Sequence, residues 1–222
     1  MSRHLRTAIE NLKTRIINMG GIIEERVFLA TLSVIGRDDF KAQAVINGDK
    51  DIDQMEVDFE EECLKLLALH QPVSIDLRFI VAALKINNDL ERIGDLAVNI
   101  AERGAFLATQ EKIDIPFELE NMVNLAEEML SGAIDSLVLM NVTHARQIRA
   151  MDDKMDAMNR EMYGKVKEMI LAQPQHINSL LHAMSVGRHL ERIADLATNI
   201  AEDVIYLVNA EIVRHTPETF ED

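Results

Sequence analysis

Tryptophan is absent from this 222-residue chain, cysteine occurs once, and proline and glycine contribute only 4 and 9 residues. So few turn-formers exclude a many-stranded sheet with its frequent reversals. Aromatic residues make up 4% of the chain while methionine occurs 12 times, and Leu, Ile, Ala and Met fill helix cores, whereas strands favour β-branched and aromatic side chains. The lone Cys63 has no intrachain disulfide partner, and no CxxC pair or His/Cys cluster marks a structural zinc site. Glu60, Glu61 and Glu62 disfavour its thiolate, so it is not read as a nucleophile. No uncharged apolar run approaches the roughly 20 residues of a membrane span, and the opening Met-Ser-Arg-His-Leu-Arg leads into an amphipathic pattern instead of a secretory apolar core. A cytoplasmic protein without direct membrane insertion is expected. A net charge of −15, spread along the chain, repels phosphate backbones and excludes nucleic acid as a direct partner. There is no glycine-rich phosphate loop and no nucleophile–base constellation, so no catalytic residue is assigned and no enzyme is expected.

What is present is 48% hydrophobic content in long helical patterns, enough to bury a sizeable core. The fold class expected is all-α, with six long helices over 3–35, 38–69, 74–109, 117–140, 143–172 and 176–213. Gly36 is placed to end the first in a left-handed conformation and Asp38 to cap the second. Pro72, Ser74, Pro116 and Pro174 mark the later joints, and Pro217 lies beyond the last helix. Such short joints make neighbours antiparallel.

The segment Leu90-Glu91-Arg92-Ile93-Gly94-Asp95-Leu96-Ala97-Val98-Asn99-Ile100-Ala101-Glu102 recurs one hundred residues later, from Leu190 to Glu202, with only Gly94/Ala194 and Val98/Thr198 differing. A fainter likeness at an offset of 103 pairs Glu24-Glu25 with Glu127-Glu128, Asp49 with Asp152 and Asp53 with Asp156. The repeat unit is therefore three helices, giving two pseudo-two-fold-related three-helix bundles over 1–110 and 115–215, followed by a tail at 216–222.

On a helical wheel Ile86, Leu90, Ile93, Ala97, Ile100 and Gly104 fall within about 40° of one line, the face that packs inward. Val186, Leu190, Ile193, Ala197, Ile200 and Val204 do the same in the second copy. Glu91, Asp95, Asn99 and Glu102, and likewise Glu191, Asp195, Asn199 and Glu202, fall on the opposite side. Charged helix faces are usually just solvated. Here Glu91–Asp95 and Glu191–Asp195 are like-charge pairs one turn apart, each costing about 0.2–0.5 kcal/mol. The face has nevertheless stayed nearly intact while the two copies diverged elsewhere. All-oxygen donors in this pattern suit hard or borderline divalent or trivalent cations, so the eight residues are read as two surface metal patches, open to more than one ion each. Whether Asp49, Asp53, Asp152 or Asp156 join them depends on which way their helices face. Arg92 and Arg192 flank the stripe and are expected to pair with an acid on a neighbouring helix. His182 and His189 fall on the core side and are read as packed histidines.

Two three-helix units, each bearing Leu-Glu-Arg-Ile-x-Asp-x-Ala-x-Asn-Ile-Ala, resemble the PhoU family over nearly the whole chain, with Glu91–Asp95 and Glu191–Asp195 as the doubled E(D)xxxD motif. Pro72-Val73-Ser74-Ile75-Asp76-Leu77-Arg78 is similar to the family's lead-in to the third helix. In the second half Asn178-Ser179-Leu180 replaces Asp76-Leu77-Arg78, so no role of Arg78 carries over. The resemblance implies a negative regulator of phosphate uptake and phosphate-starvation signalling. Its partners would be the ATPase subunit of the phosphate transporter and a membrane sensor histidine kinase. It further implies iron or zinc, commonly as clusters, at the motif carboxylates, and a homodimer. Two other readings stand beside it. One is an acidic scaffold that docks a basic partner without metal; the other is a di-iron, ferritin-like protein, disfavoured because no ExxH pair occurs and the acids face outward.

Overall fold

A computed structural model describes residues 3–213. Among these residues are seven α-helices, α1 (Arg3–Ile35), α2 (Asp39–Asn47), α3 (Asp49–His70), α4 (Ser74–Thr109), α5 (Leu119–Leu139), α6 (Val142–Ala172) and α7 (Ile177–Asn209), with a 3₁₀ turn at Pro174–His176. No strand occurs among the described residues. Pro217 and the tail at 216–222 lie outside them.

Each helix buries one stripe. In α1 this is Leu5, Ile9, Leu12, Ile16, Met19, Ile23, Val27, Ala30 and Val34, spaced by three and four residues. The inward faces expected for the repeated helices are buried as expected: Ile93, Ala97, Ile100, Ile193, Ala197 and Ile200 are all fully inaccessible. One bundle is α1 with α2–α3 and α4; the other is α5, α6 and α7. They join along α4–α7 and α1–α5. The α4–α7 pair is antiparallel. Arg78 Nε donates to the Leu207 carbonyl at 3.0 Å near one end, Lys85 meets Asp203 at 3.4 Å, and the rings of Phe106 and His182 stack at 3.7 Å towards the other.

The second expected helix is broken, and the break is confined to the first repeat. Gly48 separates α2 from α3, and a Cβ there would come within 1.9 Å of Arg26 Nη1. Arg26 reaches across from α1 and donates to the carbonyls of Ala44 at 2.9 Å and Val45 at 3.5 Å. At an offset of 103, Met129 and Met151 stand where Arg26 and Gly48 do, and α6 runs unbroken. An arginine that takes helix carbonyls as acceptors needs both a local opening of the helix and an absent side chain.

Two helix ends also differ from expectation. Asp38 caps α2, accepting from the Lys41 amide at 3.2 Å, but the left-handed residue before it is Arg37 (φ 53°), not Gly36. That conformation lets the Arg37 guanidinium donate to the Gln110 carbonyl. The last helix stops at Asn209 instead of 213, because Ala210 turns left-handed (φ 59°). Val213 then returns to bury itself, with its carbonyl accepting from Arg149 of α6 at 3.1 Å.

Where α1 crosses α4, Gly104 sets the spacing: a Cβ there would lie 2.3 Å from Ser33 Oγ and 3.2 Å from backbone atoms of Ser33 and Val34. The second repeat has Val204 at the matching place. Gly104→Val is therefore expected to destabilise the protein by about 1–3 kcal/mol through overpacking, seen as a lower urea midpoint at unchanged m-value.

Candidate metal centres

Repetition of the motif puts Glu91 and Asp95 one turn apart on α4. The break at Gly48 starts α3 so that Asp49 and Asp53, also one turn apart, face them. One carboxylate oxygen from each of Asp49, Asp53 and Asp95 lies within 4.8 Å of the others. Like charges about 5 Å apart repel by roughly 3 kcal/mol at an effective dielectric near 20. Burial first, and this repulsion second, register in the acids themselves. Burial, then Asp95, Glu56, Asp53 and Asp49, raises the pKa of Glu91. Burial, then Asp53 and Asp95, raises that of Asp49, with Arg26 opposing. Glu56, one turn beyond Asp53, is raised by burial, Glu60 and Asp53.

In the second repeat the matching acids also face one another, between α6 and α7, but among the described residues no three of them bring carboxylate oxygens as close together as Asp49, Asp53 and Asp95 do. Burial, then Asp195 and Asp156, pushes the Asp152 carboxyl up to about 6, although the Thr198 hydroxyl donates to it at 3.4 Å. Asp195 is likewise pushed to about 6 by burial, Glu191 and Asp156, with Arg192 opposing. Solvent reaches Asp195, but the helix beside it removes much of the hydration its charge would otherwise have. Burial, then Asp156, raises Glu191. The acids left undecided by sequence thus form the opposite wall of each groove, and their recurrence at an offset of 103 was the available signal. Glu56 carried none, since Asn159 occupies its counterpart.

The motif acids are consequently not spread along an open stripe. Glu91 and Glu191 are half-buried between helices. Asn99 spends its amide on the Asp95 carbonyl at 2.8 Å, leaving only its oxygen for a ligand, and Asn199 is half-buried one turn beyond Asp195. Glu102 and Glu202 lie seven residues, about 10 Å, farther along their helices. Glu102 is exposed beside Arg103, whereas Glu202 is nearly buried against Arg149 Nε at 3.2 Å. Arg92 does not reach a neighbouring helix: it lies 3.7 Å from Asp89 on its own. The histidines stay in the packing. His182 stacks on Phe106, and burial, then Arg103, lowers its pKa. His189, 3.2 Å from the Ser185 hydroxyl, is pushed down to about 4 by burial and then by Arg103, Arg188 and Arg192. Burial raises the Cys63 thiol to about 12, with Glu62 and Glu60 adding to it. No glutamate is buried in the core among the described residues, the opposite of a di-iron bundle.

The sequence matches the PhoU domain family twice, over residues 16–104 and 119–204. The chain belongs to the PhoU family. The two PhoU matches end within the repeated helices α4 and α7, just past the groove acids. Among curated relatives, the phosphate-specific transport system accessory protein PhoU homolog of Aquifex aeolicus is 36% identical over 207 residues, 93% of this chain and 94% of that protein. The crystal structure of PhoU from Pseudomonas aeruginosa superposes with a TM-score of 0.90 at 32% identity, covering 93% of this chain and 99% of that one. The phosphate transport system regulatory protein PhoU from Streptococcus pneumoniae gives 0.83 at 28% identity, covering 94% and 99%.

Proposed function

We propose that this protein is an accessory regulator of a phosphate-specific transport system, and that its two interhelical grooves take up iron or zinc. The relatives named above carry that role in their names, over nearly the full length of both chains. The observation that carries the metal reading is the doubled groove of facing carboxylates, Asp49, Asp53, Glu91 and Asp95 in one repeat and Asp152, Asp156, Glu191 and Asp195 in the other. An all-oxygen donor set held together against its own repulsion suits a hard or borderline cation. The cation would neutralise the groove and tie two helices together. By family resemblance the regulator acts in the cytoplasm as a homodimer between the transporter's ATPase subunit and a membrane sensor histidine kinase, damping uptake and the starvation response.

Elemental analysis of untagged protein purified without chelator tests the metal reading. Iron or zinc is expected to fall by about half in Glu91→Ala/Asp95→Ala and in Glu191→Ala/Asp195→Ala, and to vanish when the pairs are combined, as for independent sites. Metal content unchanged by all three variants would sink the assignment. The regulatory half is read separately in the host: deleting the gene is expected to raise a phosphate-starvation reporter in phosphate-rich medium. The charge of −15 favours one other reading, acidic grooves that dock a basic partner. Its signature is association that survives a chelator and weakens steeply with salt.

A further inference from the structure

The two ends of the α4–α7 pair are not filled alike. Burial carries the 100-residue offset of the motif back to the start of both helices, matching Ile80 with Leu180, Ala83 with Ala183 and Ile86 with Val186. On that register Asn178, not Leu180, stands opposite Arg78, and Ser179 stands opposite Phe79. In the first repeat the Phe79 ring is buried, Lys13 lies over it at 5.6 Å, and Arg78 caps the end of α7. In the second repeat a serine occupies the aromatic position, and a cavity of about 520 Å³ opens beside it.

This cavity lies between the ends of α1 and α4, the 110–118 connection and the starts of α5 and α7. Its walls include Val34, Leu107, Phe117 and Ala183. Its volume is that of a small-molecule site. Ser179 is 6% exposed and its hydroxyl makes no hydrogen bond to any described residue. Arg37 and Lys112 also line the cavity, and neither pairs with a carboxylate among the described residues. Of the acids at the rim, Glu118 accepts from the Asn121 amide, and Asp114 and Glu120 are exposed to solvent. We propose that this cavity binds a small aromatic anion, which takes the place that Phe79 fills in the first repeat. The ring lies against Leu107, Phe117 and Ala183, its acidic group meets Arg37 and Lys112, and the Ser179 hydroxyl supplies a hydrogen bond. The site is independent of the carboxylate grooves.

The probe is anilinonaphthalene sulfonate, an aromatic anion, titrated by fluorescence into the intact protein in the presence of chelator. Ser179→Phe restores the first repeat's residue and is expected to weaken binding by about tenfold or more, with the melting temperature kept or raised. Lys112→Glu, on the exposed connection, is expected to weaken it several-fold. In wild-type protein the probe is expected to shift the NMR signals of Ile113, Ile115 and Ala183. Undiminished binding to folded Ser179→Phe overturns the proposal. So does a set of shifts confined to the exposed apolar residues Leu69, Val73 and Ile75, which also decides the matter if Ser179→Phe does not fold.

Discussion

Ile93→Asp is expected to unfold the first repeat, while Asp95→Ala, half a turn away on the same helix, leaves helicity unchanged. Ile93 is fully inaccessible where α4 packs into the bundle, whereas Asp95 is exposed in the groove. Burying a carboxylate with no partner forces either ionisation in an apolar surround or a strongly raised pKa, and it also forfeits the isoleucine's packing. The combined loss is on the order of 5 kcal/mol, comparable with the whole stability of a typical domain. Ile193→Asp, equally inaccessible on α7, is expected to do the same to the second repeat. Because α4 and α7 pack on each other, each lesion should also lower the urea midpoint of the other half. Far-UV circular dichroism against urea reads all three variants. A folded Ile93→Asp protein with wild-type midpoint would contradict the inward assignment of the motif helix.

The second large effect is in pH. With metal stripped by chelator, Asp152 and Asp195 titrate near 6 in the folded protein, against 3.8 as the ordinary value. A folded-state pKa above the unfolded one means that their favourable contribution is complete below about pH 4 and is lost as pH rises through 6. His189 acts in the opposite sense: held neutral down to about 4, it contributes stability above its ordinary 6.5 that is lost as pH falls. The two trends overlap, so the carboxylates are read as a difference between proteins. Asp152→Asn/Asp195→Asn is expected to match wild type at pH 4 and to become more stable by about 2 kcal/mol at pH 7.5. That figure discounts the roughly 1.4 kcal/mol per pKa unit for solvent access and for repulsion shared within the pair. Added zinc should close the gap, because both proteins keep the first groove and only the wild type gains from the second, by about 2.7 kcal/mol at a hundredfold excess over that site's Kd. A gap independent of pH would contradict the crowding of charges in the second groove.

Metal-patch residues differ in how far sequence could place them. Glu91, Asp95, Glu191 and Asp195 were legible because the repeat fixed their helical phase against an inward stripe. Asp49 and Asp53 recurred too, but the break at Gly48 resets the phase of the helix that bears them. That break is caused by Arg26, 22 residues earlier on another helix. Glu202 looked equivalent to Glu102 until α6 brought Arg149 against it, which no pattern within α7 contains. Arg92 was expected across a helix interface and lies beside Asp89, three residues before it.

By itself the sequence determined the helical class, the three-helix repeat, the buried faces of α4 and α7 and the motif carboxylates. Each of these rests on periodicity within one helix or on comparison of one half with the other. Only the tertiary structure decided that the acids form two-walled grooves, that α2 and α3 part at Gly48, that the chain turns back after Asn209, and that a cavity opens beside Ser179 while Phe79, its counterpart, is buried. Those outcomes depend on the distance and rotation between helices, which side chains far apart in the chain set jointly when they pack.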